Sequence, residues 1–162
     1  MKLSEVLQNI HRDSFPAKMF IEEAVKYWKM QGIEAALVIA TDEDAEVSGW
    51  SSIDEYIRYL TERSFDVMHL PVEDHSAPTN IESLMQALSW LREKVESGKR
   101  TVVHCYMGIG RTSTILVCFL MKFYGMNPKK AIATVFEKYG VEPETYSQYR
   151  FIYWFYKNLV ER

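Results

Sequence analysis

The chain has 162 residues, 48% of them hydrophobic and 25% charged, with a formal net charge of −3, so the overall balance speaks against a nucleic-acid binder. That length favours one domain, residues 1–162, able to bury a core without disulfides. The longest apolar run, Thr114 to Phe123, is broken at Lys122 and is too short to span a bilayer. With two cysteines, Cys105 and Cys118, and no apolar segment before Leu3, the expected setting is a reducing cytoplasm.

The first 16 residues lack a clear period and read as a short element and a loop ending at Pro16. Ala17, Phe20, Ile21, Ala24, Val25 and Trp28 recur at helical spacing, and Gly32 is placed to stop that helix. Ala35 to Ala40 is a buried-strand signal, and the acidic stretch TDEDAE after it reads as an exposed loop. Ser52 and Glu55 resemble a capping box ahead of Ile53, Tyr56, Ile57 and Leu60 on one helical face.

Phe65 to Val72 predicts a second strand, and EDHSAP a loop. Thr79 and Glu82 form a further capping-box pattern for a long amphipathic helix through Val95, closed near Gly98. Thr101 to His104 is a short β-branched run leading into CYMGIGR, and Thr112 to Phe123 is helical and apolar on most sides. Asn127 and Pro128 suit the start of another helix, and a last one after Pro143 groups Tyr149, Ile152, Tyr153, Tyr156 and Leu159. Strands alternating with helices predict an α/β fold: a central, mostly parallel sheet with helices on both faces.

The informative segment is VVHCYMGIGRTS: a strand, a loop with two glycines, and a new helix. Successive backbone N–H groups in such a loop curl around an anion, and the helix turns its positive end to the same point. Gly108 and Gly110 supply the backbone freedom this cradle needs. An electropositive nest favours the thiolate of Cys105, the reactive form, and Arg111 can grip two phosphate oxygens with its planar fork. The ending GKS or GKT of a nucleotide-binding P-loop is missing, and GIGRTS lacks the third glycine of a dinucleotide fingerprint. No His, Cys and carboxylate set has metal-ligand spacing, so neither a metal nor a cofactor is expected.

Cys105, Arg111 and Thr112 match the HCxxxxxR(S/T) signature, and the chain resembles the protein-tyrosine and dual-specificity phosphatase superfamily. It is similar above all to the small atypical dual-specificity phosphatases and their compact archaeal relatives, from about Ile33 onward and including the ETYSQ segment. The resemblance implies the cysteine-phosphatase fold and a nucleophilic Cys105. It implies a phosphate-binding loop of Cys105, Tyr106, Met107, Gly108, Ile109, Gly110 and Arg111, with Thr112 hydrogen-bonding the thiolate and His104 bracing the loop. Ser113 departs from the usual GRTG ending, which bears on how closely the helix packs.

The family carries a general acid on a separate loop upstream, and here PVEDHSAP resembles it, with Asp74 followed by three residues and Pro78. Asp74 is the expected acid and then base, Glu73 its neighbouring competitor, and His75 a loop residue or an aid to Asp74. Gln148 matches a family glutamine that positions water or a loop; an exposed helical glutamine is the alternative. Cys118 reads as a core thiol, or as a disulfide partner of oxidised Cys105, and the four tryptophans as packing residues. The implied substrate is a phosphorylated protein carrying phosphotyrosine and also phosphoserine or phosphothreonine. The alternatives are a phosphoinositide phosphatase, which commonly places lysines in the loop, and an RNA 5′-phosphatase, which the absence of a basic, aromatic-interleaved stripe disfavours. A non-catalytic phosphate-binding module would not need Cys105, Arg111 and Asp74 together.

Overall fold

Four short strands, β1 (Ile10–Asp13), β2 (Ile33–Val38), β3 (Asp66–His69) and β4 (Arg100–His104), lie side by side in a computed structural model that describes residues 1–161. Their order is β1-β4-β2-β3 and every pair is parallel, as the alternation of strands and helices predicts. In register, Asp13 and Val38 both pair with His104, and Val38 also pairs with His69. The carboxyl ends of all four strands are therefore level. Loops leaving that edge converge, which is where open α/β sheets place their ligands.

Side-chain alternation distributes the helices. Leu37, Ile39 and Val103 join one core cluster, packed by α1 (Leu3–Gln8), α5 (Ile81–Glu96), α6 (Gly110–Tyr124), α7 (Pro128–Tyr139) and α8 (Tyr146–Phe155). Ala36, Val38 and Val102 face the other cluster, packed by α2 (Ile21–Met30), α3 (Asp42–Val47) and α4 (Ile53–Glu62). Both faces of the central strands are thus covered, which explains why ALV and TVV read as continuous apolar runs. Helix α6 is buried from Gly110 through Met121, so it runs through the molecule rather than along it. Among the described residues no helix is long and apolar enough to cross a membrane.

Several elements differ from the sequence expectation, each for a local reason. The N-terminal segment holds both α1 and β1; IHRD carries one apolar residue, and it is strand because its backbone pairs with β4. The TDEDAE stretch is the helix α3 rather than an exposed loop. Thr41 and Asp44 form a reciprocal capping box, with the Thr41 backbone N–H donating to Asp44 Oδ2 at 2.9 Å. Helix α5 is capped by Asn80, whose Oδ1 accepts from Ser83 N–H at 2.9 Å, one residue beyond the Thr79 box. On α8 the buried positions are Gln148, Ile152 and Phe155, whereas Tyr153 is exposed, so a polar residue sits on the face toward the core.

Candidate functional site

The loop from Cys105 to Arg111 leaves the central strand β4 and is held to its neighbour β1. Phe15 N–H donates to Tyr106 O at 2.7 Å, and Arg12 Nη1 donates to Gly108 O at 3.1 Å. Gly108 has φ +77°, and a Cβ there would collide with the carbonyl of Asp13. Asp13 cannot easily yield, since its carboxylate accepts from Trp28 Nε1 at 2.8 Å and from Ser14 N–H at 2.7 Å. The glycine is therefore demanded twice over, by backbone angle and by space.

Cys105 is 2% exposed, and the Thr112 hydroxyl donates to its Sγ at 3.3 Å. Thr112 stands in the first turn of α6, so helix start and thiol are brought together by the short loop between them. In the same turn Ser113 Oγ and Thr114 Oγ1 both donate to Gly110 O, at 3.0 and 2.7 Å. Ser113, fully buried, is thus accommodated by a backbone hydrogen bond where the family signature has glycine.

Arg111 is also 2% exposed, and its guanidinium meets more partners than the sequence predicts. Nη1 lies 2.7 Å from Asp44 Oδ2 and donates to Val72 O at 2.8 Å; Nη2 lies 3.1 Å from Asp44 Oδ1 and 3.2 Å from Asp74 Oδ1. Nε has no partner. Burial favours the neutral form of Asp44, but hydrogen bonds from Arg111 and the Thr41 N–H outweigh it and hold its pKa below the usual carboxylate value. Burial likewise opposes charge on Arg111, and Asp44, Cys105 and Asp74 together restore it. The Nη1 edge is committed to structure, while Nε and the Asp74-facing side of Nη2 remain for an incoming anion.

Asp74 stands half exposed on the loop after β3. Its Oδ1 accepts from His75 N–H at 2.9 Å, and His75 Nε2 lies 3.5 Å from Oδ2. His75 adopts φ +63°, and its carbonyl accepts from Thr145 Oγ1 at 2.8 Å and Ser147 Oγ at 3.3 Å. Gln148, 1% exposed, ties the next residue, donating from Nε2 to Ser76 O at 3.2 Å. Its Oε1 accepts from the N–H groups of Glu144 and Thr145, at 2.8 and 3.2 Å. Gln148 is therefore a buried clamp between the Asp74 loop and the start of α8, not an exposed helical glutamine. Glu73, its side chain without a partner among the described residues, does not approach Arg111 as Asp74 does.

His104 is fully buried beneath the loop. Its Nδ1 lies 3.1 Å from Cys105 O and its Nε2 2.7 Å from the Tyr56 hydroxyl. A carbonyl can only accept, so Nδ1 carries the proton and Nε2 accepts from Tyr56. Burial lowers its pKa to about 4, and the ring is packed by Trp28 at 6.1 Å and Phe15 at 5.1 Å. It is a neutral brace. Cys118 is a free, fully buried thiol on α6 whose pKa burial pushes up. Among the described residues no group of three or more metal-ligating side chains is placed to hold an ion.

Sequence reasoning missed Asp44, Tyr56, Thr145 and Ser147 as members of this assembly. For Asp44 a signal existed: Thr41-x-x-Asp44 directly after a buried strand is a capping pattern, and a helix start at the carboxyl edge of a sheet faces the ligand site.

Residues 22–157 match the family described as dual specificity phosphatase, catalytic domain. A phosphatidylglycerophosphate phosphatase, PTPMT1, of Arabidopsis thaliana is 32% identical over 75 residues, 45% of this chain and 22% of that protein. Cyclin-dependent kinase inhibitor 3 of Sus scrofa is 26% identical over 159 residues, 95% of this chain and 66% of that one. The chain spans less than a third of the first curated relatives it matches. The structure of Tk-PTP in its active form superposes with a TM-score of 0.74 at 27% identity, covering 93% of this chain and 92% of that one. Kinase associated phosphatase shares the fold, with a TM-score of 0.77 at 20% identity over 94% and 88% of the two chains. With the family match spanning both the Cys105 loop and the Asp74 loop, the chain belongs to the dual specificity phosphatase catalytic-domain family.

Proposed function

We propose that the protein removes phosphate from phosphotyrosine in proteins, and from phosphoserine and phosphothreonine, through a phosphocysteine on Cys105. The observation that carries this reading is the Thr112 hydroxyl on Cys105 Sγ at 3.3 Å, beside an Arg111 whose Nε has no partner among the described residues. A nucleophile and an anion-binding fork then address one point.

In the first step Cys105 Sγ attacks phosphorus, the ester P–O bond breaks, and protonated Asp74 gives its proton to the departing oxygen. Arg111 and the loop N–H groups hold the equatorial oxygens. In the second, Asp74 takes a proton from water, the water oxygen attacks phosphorus, and the S–P bond breaks. The thiolate returns to the Thr112 hydroxyl and orthophosphate leaves. An arriving phosphate competes with Asp74 for Arg111 Nη2, releasing the carboxyl toward the leaving group. Asp74 is half exposed, and among the described residues its carboxylate meets, apart from Arg111, only its neighbour His75, so that small shift is open to it. The need of this chemistry for a reduced thiol supports a reducing compartment, the cytoplasm, as its setting.

The test is a kinetic panel of phosphotyrosine, phosphoserine and phosphothreonine peptides, a phosphoinositide and an RNA 5′-triphosphate on parent and Cys105→Ser. Turnover of phosphopeptides lost in Cys105→Ser is the expected result. Phosphate binding without turnover of any member would overturn it in favour of a binding module.

A further inference from the structure

Beside the Arg111 guanidinium lies a cavity with negative charge that the proposed chemistry does not use. It measures about 160 Å³ and is lined by Glu43, Asp44, Glu73 and Asp74 together with Thr41, Val47 and Tyr106, and among the described residues by no lysine, arginine or histidine. Two of those carboxylates, Asp44 and Asp74, meet the Arg111 guanidinium. The other two, Glu43 and Glu73, are exposed, and their side chains have no hydrogen-bond or ion-pair partner among the described residues. They sit on separate elements, α3 and the Asp74 loop, so they flank the cavity instead of repelling one another along a single helix.

A second observation marks this cavity as a ligand site and not merely an acidic surface. Arg111, 2% exposed and bonded to two residues of the cavity wall, keeps a buried Nε–H without a partner among the described residues. An arriving phosphate carries close to two negative charges. Arg111 and the loop amides can answer that charge at the floor, but nothing in the wall answers Glu43 and Glu73. A substrate with further phosphates beside the scissile one would bring like charge against them; a substrate with cations beside it would pair with them.

We propose that Glu43 and Glu73 make this site selective for phosphopeptides that carry lysine or arginine next to the phosphorylated residue. The inference rests on the phosphatase reading above and narrows its substrate class. Each exposed pair is worth about a two- to fivefold preference, and because the charges are solvated the preference falls as salt rises.

The experiment uses three phosphotyrosine peptides alike except for flanking Lys/Arg, Ser/Ala or Asp/Glu, with a phosphoinositide vesicle and p-nitrophenyl phosphate as further arms. The protein is the parent chain or the double variant Glu43→Gln/Glu73→Gln, at low and high salt. The expected kcat/KM ranks basic above neutral above acidic peptide, by about tenfold end to end at low salt. High salt and the double variant should both compress that ratio toward one. Equal turnover of the three peptides, an unchanged ratio in the double variant, or a phosphoinositide preferred to the basic peptide would each overturn the inference. Absence of turnover on p-nitrophenyl phosphate as well would instead overturn the phosphatase reading on which it stands.

Discussion

Asp44 and Arg111 face each other as two parallel forks, Oδ2 to Nη1 at 2.7 Å and Oδ1 to Nη2 at 3.1 Å, both almost wholly buried. The pair joins the start of α3 to the start of α6 across the carboxyl edge of the sheet. One edge of the guanidinium is thereby fixed, and the opposite Nε side is aimed. A planar fork transmits orientation in a way a lysine ammonium cannot.

Removing Asp44 should therefore damage both stability and turnover. Asp44→Ala leaves a buried cation with Val72 O and the half-exposed Asp74 as partners, and loses the Thr41 capping box as well. Breaking one side of a buried pair costs about 3 kcal/mol or more, and a guanidinium displaced by an ångström lowers kcat/KM by roughly a hundredfold. Denaturant unfolding and phosphopeptide kinetics on Asp44→Ala check the two effects. A variant with parental stability and parental kcat/KM would show that Arg111 needs no such anchor.

Thr112 offers a more local test. Its hydroxyl donates to Cys105 Sγ, and a hydrogen bond to a charged group contributes about 1.5–3 kcal/mol. Because the thiolate is the leaving group in the proposed hydrolysis of the phosphocysteine, Thr112→Val should slow that second step by roughly ten- to a hundredfold. Rapid-mixing kinetics should then show a larger burst of released phenol or peptide than the parent gives. A lowered burst with an unchanged steady state would place the hydroxyl's role elsewhere.

How much of this was legible beforehand depends on where each interaction lies along the chain. The Cys105–Arg111 loop was readable because its parts are adjacent, and glycine spacing carries the geometry. The parallel sheet was readable because β2 and β4 are apolar on both faces. For Asp44 the helix start is written in Thr41-x-x-Asp44 but its partner is not, since nothing local to TDEDAE says that its third acidic residue meets an arginine on a helix far along the chain. Gln148 is marked by its setting in ETYSQ, but its burial on the inner face of α8 follows from the backbone groups it satisfies, Ser76 O and the Glu144 and Thr145 N–H groups, and not from hydrophobic period. The strand β1 was hidden because an edge strand of four residues takes its stability from β4 and not from its own side chains.

Gly108→Ala should separate loop shape from thiol chemistry. The substitution meets a positive φ and the Asp13 carbonyl together, and either alone destabilises by about 1 kcal/mol or more. The loop must move away from β1, giving up Arg12 on Gly108 O at 3.1 Å, so phosphate or vanadate should bind more weakly while Cys105 remains alkylatable. Inhibition constants and iodoacetamide labelling read the two quantities. Parental anion affinity in Gly108→Ala would mean that the contact with Asp13 does not shape the cradle.

His104 predicts a pH dependence of stability that is independent of catalysis. Its pKa in the fold is about 4, below the ordinary value of 6.5, because the ring is fully buried, against which the Cys105 carbonyl and the charge of Asp13 act only in part. Above about pH 6.5 the imidazole is neutral in both folded and unfolded chains, and the fold keeps its full stability. Between 6.5 and 4 the unfolded chain binds a proton that the folded one refuses, so stability falls with falling pH. A shift of this size corresponds to about 3 kcal/mol across that window. His11, lowered in the same direction by burial and by Arg100 and Lys138, adds a smaller contribution of the same sign, whereas the low pKa of Asp44 acts at more acid pH. Urea unfolding of parent and His104→Asn from pH 4.5 to 7.5 isolates the effect. The variant, weaker at pH 7.5 for want of the Tyr56 hydrogen bond, should show a markedly flatter decline toward acid; two parallel curves would mean that His104 is not the group that refuses the proton.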